Sequence, residues 1–307
     1  MSSQVTYILN TGDTIPAIAF GTPADGIGED KIINFHLTVS ALKLGYRHLD
    51  TAYLYGTERA TGRAVRESGI PREEIFVTTK LPWHHHHKVS ESFDQSLSAL
   101  GLDYVDMYLM HWPQAAKFYR DDNLLPLDQA GDMEIVDTPT FNEVWAEMEA
   151  IYASGKAKAI GVSNFSEKTL IQLFTTAKVI PAVNQIELHP LLAQPALLEF
   201  CKSKGILVQA YSPTGHALGR ENPLIVSLAE KYKATPNQVI VGWHLARGCG
   251  VIISSRQEDR NKENFAPVSL EKEDVDKITA LDENKRVCTS PSKTGKVFGW
   301  TLKQLGW

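Results

Sequence analysis

Gly45-Tyr46-Arg47-His48-Leu49-Asp50-Thr51-Ala52-Tyr53-Leu54-Tyr55-Gly56-Thr57-Glu58 reads as one complete junction between a strand and the helix after it. A glycine just before a strand is the usual C-cap of the preceding helix in an αβ loop. The short apolar run that follows ends on a carboxylate, Asp50. One loop later a tyrosine, Tyr55, stands where the next helix should begin. The unit then recurs. Gly69, Gly101, Gly155, Gly205 and Gly250 also precede strand-like runs, and the runs lie at about 17–21, 46–50, 75–79, 105–110, 159–163, 183–187, 207–211 and 251–254. They are short and apolar, as parallel strands buried on both faces are.

The helices between them carry start signals. Thr140 with Glu143 is a capping box, Ser166 can cap a helix running to about 176, and Thr235 precedes a first-turn Pro236. A last helix is expected from 269 to about 281. Eight strands alternating with helices predict a closed (β/α)8 TIM barrel, occupying 1–307 as one domain. An open doubly wound sheet is the alternative, but no Gly-x-Gly-x-x-Gly follows any strand. Residues 5–9 and 14–15, joined by Asn10-Thr11-Gly12-Asp13, predict an N-terminal β-hairpin. Two stretches break the repeat. The loop 113–137 is long enough to be a functional lid. The tail 285–307 carries Phe298, Trp300 and Trp307, aromatics that favour docking over the barrel mouth.

The whole chain narrows the function. Its 307 residues are 43% hydrophobic and 22% charged, with a net charge of −5. That argues against a general nucleic-acid binder or a binder of anionic membranes. No run approaches the length of a membrane span. Residues 1–6 lack a basic segment followed by an apolar one, so no secretory signal is expected. Cys201, Cys249 and Cys288 are odd in number and widely spaced, which fits free thiols in a reducing compartment, the cytosol by default.

Chemistry enters through the strand ends. A phenol is a poor acid at its ordinary pKa of about 10, and a nearby ammonium lowers that value. Phe76-Val77-Thr78-Thr79-Lys80 brings such an ammonium to the end of the next strand. Val105-Asp106-Met107-Tyr108-Leu109-Met110-His111-Trp112 brings a histidine to the end of the one after. Together these make an acid–base site. Asp50 holds Lys80, Lys80 makes Tyr55 more acidic, and His111 orients a carbonyl oxygen. Each residue alone has a structural explanation: Asp before Thr caps turns, a lysine after a strand is usually solvated, and a histidine before Trp-Pro usually packs. Their joint placement in consecutive units is the signal.

Other polar residues share the C-terminal ends of barrel strands, where catalytic groups gather: Ser163-Asn164, Gln185 and Tyr211-Ser212. With these in view the sequence resembles the aldo-keto reductases, over nearly its whole length. Four stretches carry the resemblance: Asp50 to Tyr55, Thr79-Lys80-Leu81, Ile160-Gly161-Val162-Ser163-Asn164-Phe165, and Asn184-Gln185 with His189-Pro190. The short stretch Thr214-Gly215-His216-Ala217-Leu218-Gly219 is most similar to microbial and fungal members.

The resemblance implies reduction of an aldehyde or ketone to the alcohol by a nicotinamide cofactor, with a small aldehyde, an aldose or a sugar-derived carbonyl as substrate and a monomer as the working form. It makes Tyr55 the general acid, with Lys80, Asp50 and His111 around it. Tyr211 would stack on the nicotinamide, and Ser163, Asn164 and Gln185 would bond its carboxamide, with Thr22 and Ser212 close by. Ser254, Ser255, Arg256, Arg260, Glu263 and Asn264 fall on the segment for the adenosine 2′-phosphate and adenine. Members that prefer NADPH usually have Pro-Lys-Ser where this chain has Ile253-Ser254-Ser255. Arg260 can still grip a phosphate bidentately, and Arg256 is a candidate replacement for the lysine. NADPH is therefore expected, with NADH as the alternative. Pro23 stands where many members place an aromatic pocket wall, which leaves Trp83, Trp112, His111 and the tail residue Trp300 to contact substrate.

Two readings of other classes compete. One is a cofactor-binding regulatory or interaction subunit with little turnover, against which the intact set of four polar residues argues. The other is a metal hydrolase, suggested by His84-His85-His86-His87. Four adjacent imidazoles cannot all face one ion, and a hydrolase on this fold needs a His-x-His pair where the first strand ends in Phe20-Gly21-Thr22. The run is expected to be a polar loop at the barrel mouth, with no metal held.

Overall fold

Eight parallel strands close on themselves in a computed structural model that describes residues 5–22 and 31–307. They are β1 (Ile18–Gly21), β2 (His48–Asp50), β3 (Phe76–Leu81), β4 (Met107–Met110), β5 (Ile160–Ser163), β6 (Val183–Glu187), β7 (Leu207–Tyr211) and β8 (Gly250–Ile253). Each pairs with the next in chain order, and β8 returns to β1. This is the expected (β/α)8 barrel. The register sets Asp50 beside Gly21 and Thr78, and Gln185 beside Ser163 and Gln209, so the polar residues of several strands reach the same rim.

The differences from the sequence reading are small and local. The strand expected over 46–50 begins only at His48, because Tyr46 is drawn into the core and its Oη donates to the Asn261 carbonyl at 2.8 Å. β3 runs on to Leu81, so Lys80 projects from inside a strand and not from its end. The capping boxes at Thr140, Ser166 and Thr235 are present. The last expected helix is shorter, Lys272–Thr279. Gly161 has a plain packing reason: a Cβ there would lie 2.7 Å from both Leu109 Cδ2 and the Val183 carbonyl.

The hairpin pairs Thr6–Ile8 with Thr14–Pro16. It buries Leu9 and Ile15 against Phe76, Met107, Leu109 and Val183, closing the N-terminal end of the barrel. At the other end the 113–137 loop forms a two-residue pairing of Ala115–Ala116 with Ile135–Val136. The tail adds a hairpin, Lys296–Val297 with Trp300–Thr301, and a helical turn, Leu302–Leu305. Val297 and Leu305 are buried with Trp83, Trp112 and Met133, so the tail docks over the mouth as expected. Among the described residues, no helix is long and apolar enough to cross a membrane.

The histidine run, expected as a polar loop at the barrel mouth, is largely buried. Trp83–Lys88 is a 3₁₀ turn, and His84, His85 and His86 are buried. A neutral imidazole is an aromatic ring, and these rings pack as such. His84 and His85 lie 4.1 Å apart between centroids, His85 meets Tyr53 at 4.7 Å, and His87 meets Phe118 at 4.6 Å. Among the described residues, no three His, Cys, Asp or Glu side chains are placed to hold a metal ion.

Five buried histidines have a consequence for stability. Burial lowers the pKa of His48 and His84 to about 4, and that of His85, His86 and His244 to about 3. In the unfolded chain each titrates near 6.5. Below that pH the unfolded state takes up protons that the folded state refuses. The stability these rings contribute is therefore complete above about pH 6.5 and is lost as the pH falls toward 4. Thermal denaturation should show a melting temperature that declines steadily over this window. A flat melting temperature from pH 7 to pH 4 would contradict the burial of neutral rings.

Candidate active site

Lys80 is fully buried inside the barrel, and its ammonium needs a partner there. Asp50, at the end of β2, supplies it: Lys80 Nζ lies 2.5 Å from Asp50 Oδ1. Nζ also donates to the Thr51 carbonyl at 3.0 Å. The other Asp50 oxygen, Oδ2, accepts from Gln185 Nε2 at 2.8 Å. The carboxylate is thus fixed from two sides of the barrel. Tyr55, on the 3₁₀ turn Tyr53–Tyr55 after β2, presents its ring 4.8 Å from the Lys80 ammonium. Its Oη is 3.4 Å from Nε2 of His111, which follows β4. The structure brings all four expected residues together.

Their electrostatics depart from the sequence reading at one point. Burial pushes the Tyr55 phenol above its ordinary value of 10, while Lys80 pulls it down. Lys80 acts in the expected direction, but burial wins, and the phenol keeps its proton at neutral pH. Burial also opposes charge on Lys80, yet Asp50 and Tyr55 together offset it and the ammonium pKa is raised. His111 goes the other way: burial, helped by the Lys80 charge, holds it well below 6.5. At neutral pH the site therefore holds a protonated phenol, a neutral imidazole and a locked ion pair. That set can donate two hydrogen bonds and one proton to a single oxygen.

The four residues line a cavity of about 510 Å³, except Lys80, which lies beneath it. Thr22, Asn164, Gln185, Tyr211, Ser212 and Ser254 also line it. Asn164, at φ 66°, donates to the His111 carbonyl at 3.0 Å and accepts from Tyr211 Oη at 2.7 Å. Ser163 sits one step back: its hydroxyl donates to the Gln185 carbonyl at 2.8 Å and accepts from Asn164 Nδ2 at 3.1 Å. Thr22 braces the end of β2, its amide donating to the Asp50 carbonyl at 2.8 Å.

A second cavity, of about 470 Å³, is lined by Ser254, Ser255, Arg260 and Glu263 together with Thr235-Pro236-Asn237. Ser254 lines both cavities, so they adjoin across it. Asn264 is buried behind the second cavity and accepts from Asn237 Nδ2 at 2.9 Å. Arg256 is exposed and is not among the lining residues, whereas Arg260 lines this space, with Arg220 on its wall as well. Sequence reasoning missed Asn261, whose side chain clasps the backbone of Ser255 through both its N–H and its carbonyl, at 2.7 and 2.8 Å.

The walls of the first cavity are mostly apolar. Trp83 and Trp112 are there as expected. Trp300 is not: it faces a groove beside Pro113, Thr140 and Phe141, because the hairpin turn of the tail directs Phe298 to the cavity instead. Pro23 lies outside the described residues. Leu54, Leu124, Leu125 and Thr289 complete the wall. Trp83 Nε1 donates to the Leu124 carbonyl at 2.7 Å, tying the 113–137 loop to the mouth. A Leu-Leu pair between Asp121-Asp122-Asn123 and Pro126 was the available signal for Leu124 and Leu125.

Comparison with known proteins agrees with this arrangement. Residues 17–283 match the pattern of the Aldo/keto reductase family. The chain is 42% identical over 286 residues to a glycerol 2-dehydrogenase (NADP(+)) of Saccharomyces cerevisiae, covering 90% of each chain. It is 42% identical over 293 residues to an aldehyde reductase of the same yeast, covering 92% of each. It is 41% identical over 276 residues to a D-galacturonate reductase of Hypocrea jecorina, covering 88% of each. The family match spans all eight strands, and on it and these identities the chain belongs to the aldo/keto reductase family.

Proposed function

We propose that the protein is an NADPH-dependent reductase that converts an aldehyde or ketone to the alcohol, with Tyr55 as general acid. One observation carries this reading: the Tyr55 hydroxyl and a neutral His111 Nε2 converge to 3.4 Å beside a fully buried Lys80–Asp50 pair. A carbonyl oxygen bound between the two receives two hydrogen bonds. As negative charge grows on that oxygen, the phenol proton passes to it and becomes the hydroxyl proton of the product. Lys80 stabilises the phenolate left behind, and Asp50 keeps Lys80 charged and aimed. His111 keeps its own proton and orients the oxygen.

The two adjoining cavities fit an extended dinucleotide. Asn164, Gln185, Tyr211 and Ser212 would hold the nicotinamide end, with Ser163 and Thr22 bracing them. Ser254, Ser255, Arg260 and Glu263 would hold the adenosine end, with Asn264 behind. When bound, the cofactor supplies the hydride, and the protein supplies position and electrostatics. The NADP(+) in the name of the yeast relative supports NADPH, as does the Arg260 guanidinium facing the second cavity. Ser254 is the weak point of that preference.

For substrate we favour small uncharged aldehydes. Relatives named for glycerol, for aldehydes and for galacturonate span polyols and sugar acids. Among the described residues, however, no lysine or arginine lines the first cavity. A sugar carboxylate would find no cation there, and its desolvation would go uncompensated. For the working form we favour a monomer, and three free cysteines suit the cytosol.

Two variants test the reading. Tyr55→Phe keeps the ring and removes the proton. It should cut steady-state reduction of a simple aldehyde by about 10²–10⁴-fold, the usual contribution of a general acid, while tryptophan-fluorescence titration shows NADPH affinity nearly unchanged. Full turnover in this variant would remove Tyr55 from the mechanism. Ser254→Lys restores a cation beside Arg260. It should tighten NADPH by about tenfold, the worth of one added charge-assisted contact, without changing NADH affinity. Equal tightening of both would show that the 2′-phosphate is not what residue 254 faces.

A further inference from the structure

Glu187 ends β6 with its carboxylate completely buried, and the chemistry proposed above does not use it. Burial alone would raise its pKa, yet its partners bring it down to about 2. Oε1 accepts from the Val287 amide at 2.6 Å, the Cys288 amide at 3.0 Å and His189 Nε2 at 3.2 Å. Oε2 accepts from the Thr289 amide at 3.1 Å and from the Thr289 hydroxyl. Three consecutive backbone N–H groups of the C-terminal tail thus converge on one side chain of the barrel.

That stretch of tail begins a wall of the substrate cavity. Thr289 lines the cavity itself, and Phe298 does so farther along. Next to the anchored amides, the Arg286 guanidinium lies 3.4 Å from the centre of the Trp307 ring, which in turn packs at 6.0 Å on Trp112. Two residues before Glu187, and so on the same face of the strand, Gln185 holds Asp50. One strand therefore braces the Asp50–Lys80 pair and, two residues on, anchors the tail.

We propose that Glu187 is a positioning residue for substrate selection, setting the tail-side wall of the cavity through this triple amide anchor. The proposal rests on the reductase reading. A glutamine at 187 would keep the shape but turn an N–H₂ group toward backbone N–H donors and lose the charge that binds them. The wall would loosen while the adenosine end of the cofactor groove, built from β8 and the residues after it, stayed in place.

The test compares wild type, Glu187→Gln and Glu187→Asp on propanal and on a bulky aryl aldehyde, with NADPH affinity measured in parallel. In Glu187→Gln the ratio of the two KM values should change by about tenfold, the effect of losing one charge-assisted anchor, with kcat and NADPH affinity much less affected. Glu187→Asp, which keeps the charge, should recover part of the wild-type ratio. Hydrogen exchange should show the amides of residues 287–289 protected in wild type and selectively released in Glu187→Gln, with the strand amides unchanged. An unchanged KM ratio overturns the proposal, and so does a parallel loss of both substrates and cofactor, which would mark a merely structural residue. If Glu187→Gln fails to fold, fast exchange of these amides in wild type still overturns it. Absence of wild-type turnover on propanal would instead sink the reductase reading and leave amide exchange to judge the anchor.

Discussion

A carboxylate and an ammonium shut away from water cannot be left unpaired, and the ion pair of Asp50 and Lys80 is the constraint on which the site depends. Such a pair is poor evidence of stability, because desolvating both charges cancels much of their attraction. Its value here is placement. Asp50 is held by Lys80 from β3 and by Gln185 from β6, which stand on different sides of the barrel. Any shift in strand register would strand a buried charge. The pair thus makes the barrel rim rigid where Tyr55 and His111 must meet, and it keeps a positive charge beside the phenol at all ordinary pH.

The same burial divides the titratable groups into two kinds. Lys80, paired with Asp50, and Glu187, held by several hydrogen-bond donors, stay ionised. Those for which burial outweighs the neighbouring charges stay neutral: Tyr55 above its usual value, His111 and the packed histidines of the 84–86 run below theirs. The histidine run shows how residue type alone can mislead. Four adjacent imidazoles suggest metal or solvent, yet in a buried 3₁₀ turn they serve as aromatic rings against Tyr53 and Phe118. Their neutrality avoids the cost of burying a charge, the larger part of the penalty that kept them out of the core in a sequence-based reading.

The barrel was legible because glycine caps and short apolar runs repeat, a local signal that survives folding. The four polar residues were legible because each ends or follows a strand, and a parallel barrel gathers such ends. What sequence could not give was long-range. Trp300 was expected in the cavity, but the turn of the tail hairpin puts Phe298 there. Leu124 and Leu125 reach the mouth because Trp83 ties the loop by its carbonyl. Asn261 matters through backbone contacts with Ser255, which no periodicity announces. The net upward push on Tyr55 depends on the groups packed around its half-buried ring, and those follow from tertiary structure alone.

The central claim is that a phenol, and not an imidazolium, donates the proton. The pH dependence of kcat/KM for reduction of a simple aldehyde tests it most directly. With His111 held neutral well below pH 6.5 and Tyr55 protonated, the rate should be level through the histidine range, between about pH 5.5 and 7.5, and should fall only on the alkaline side, where the phenol loses its proton. A fall as pH rises through about 6.5, abolished in His111→Asn, would make the imidazolium the acid and contradict this account.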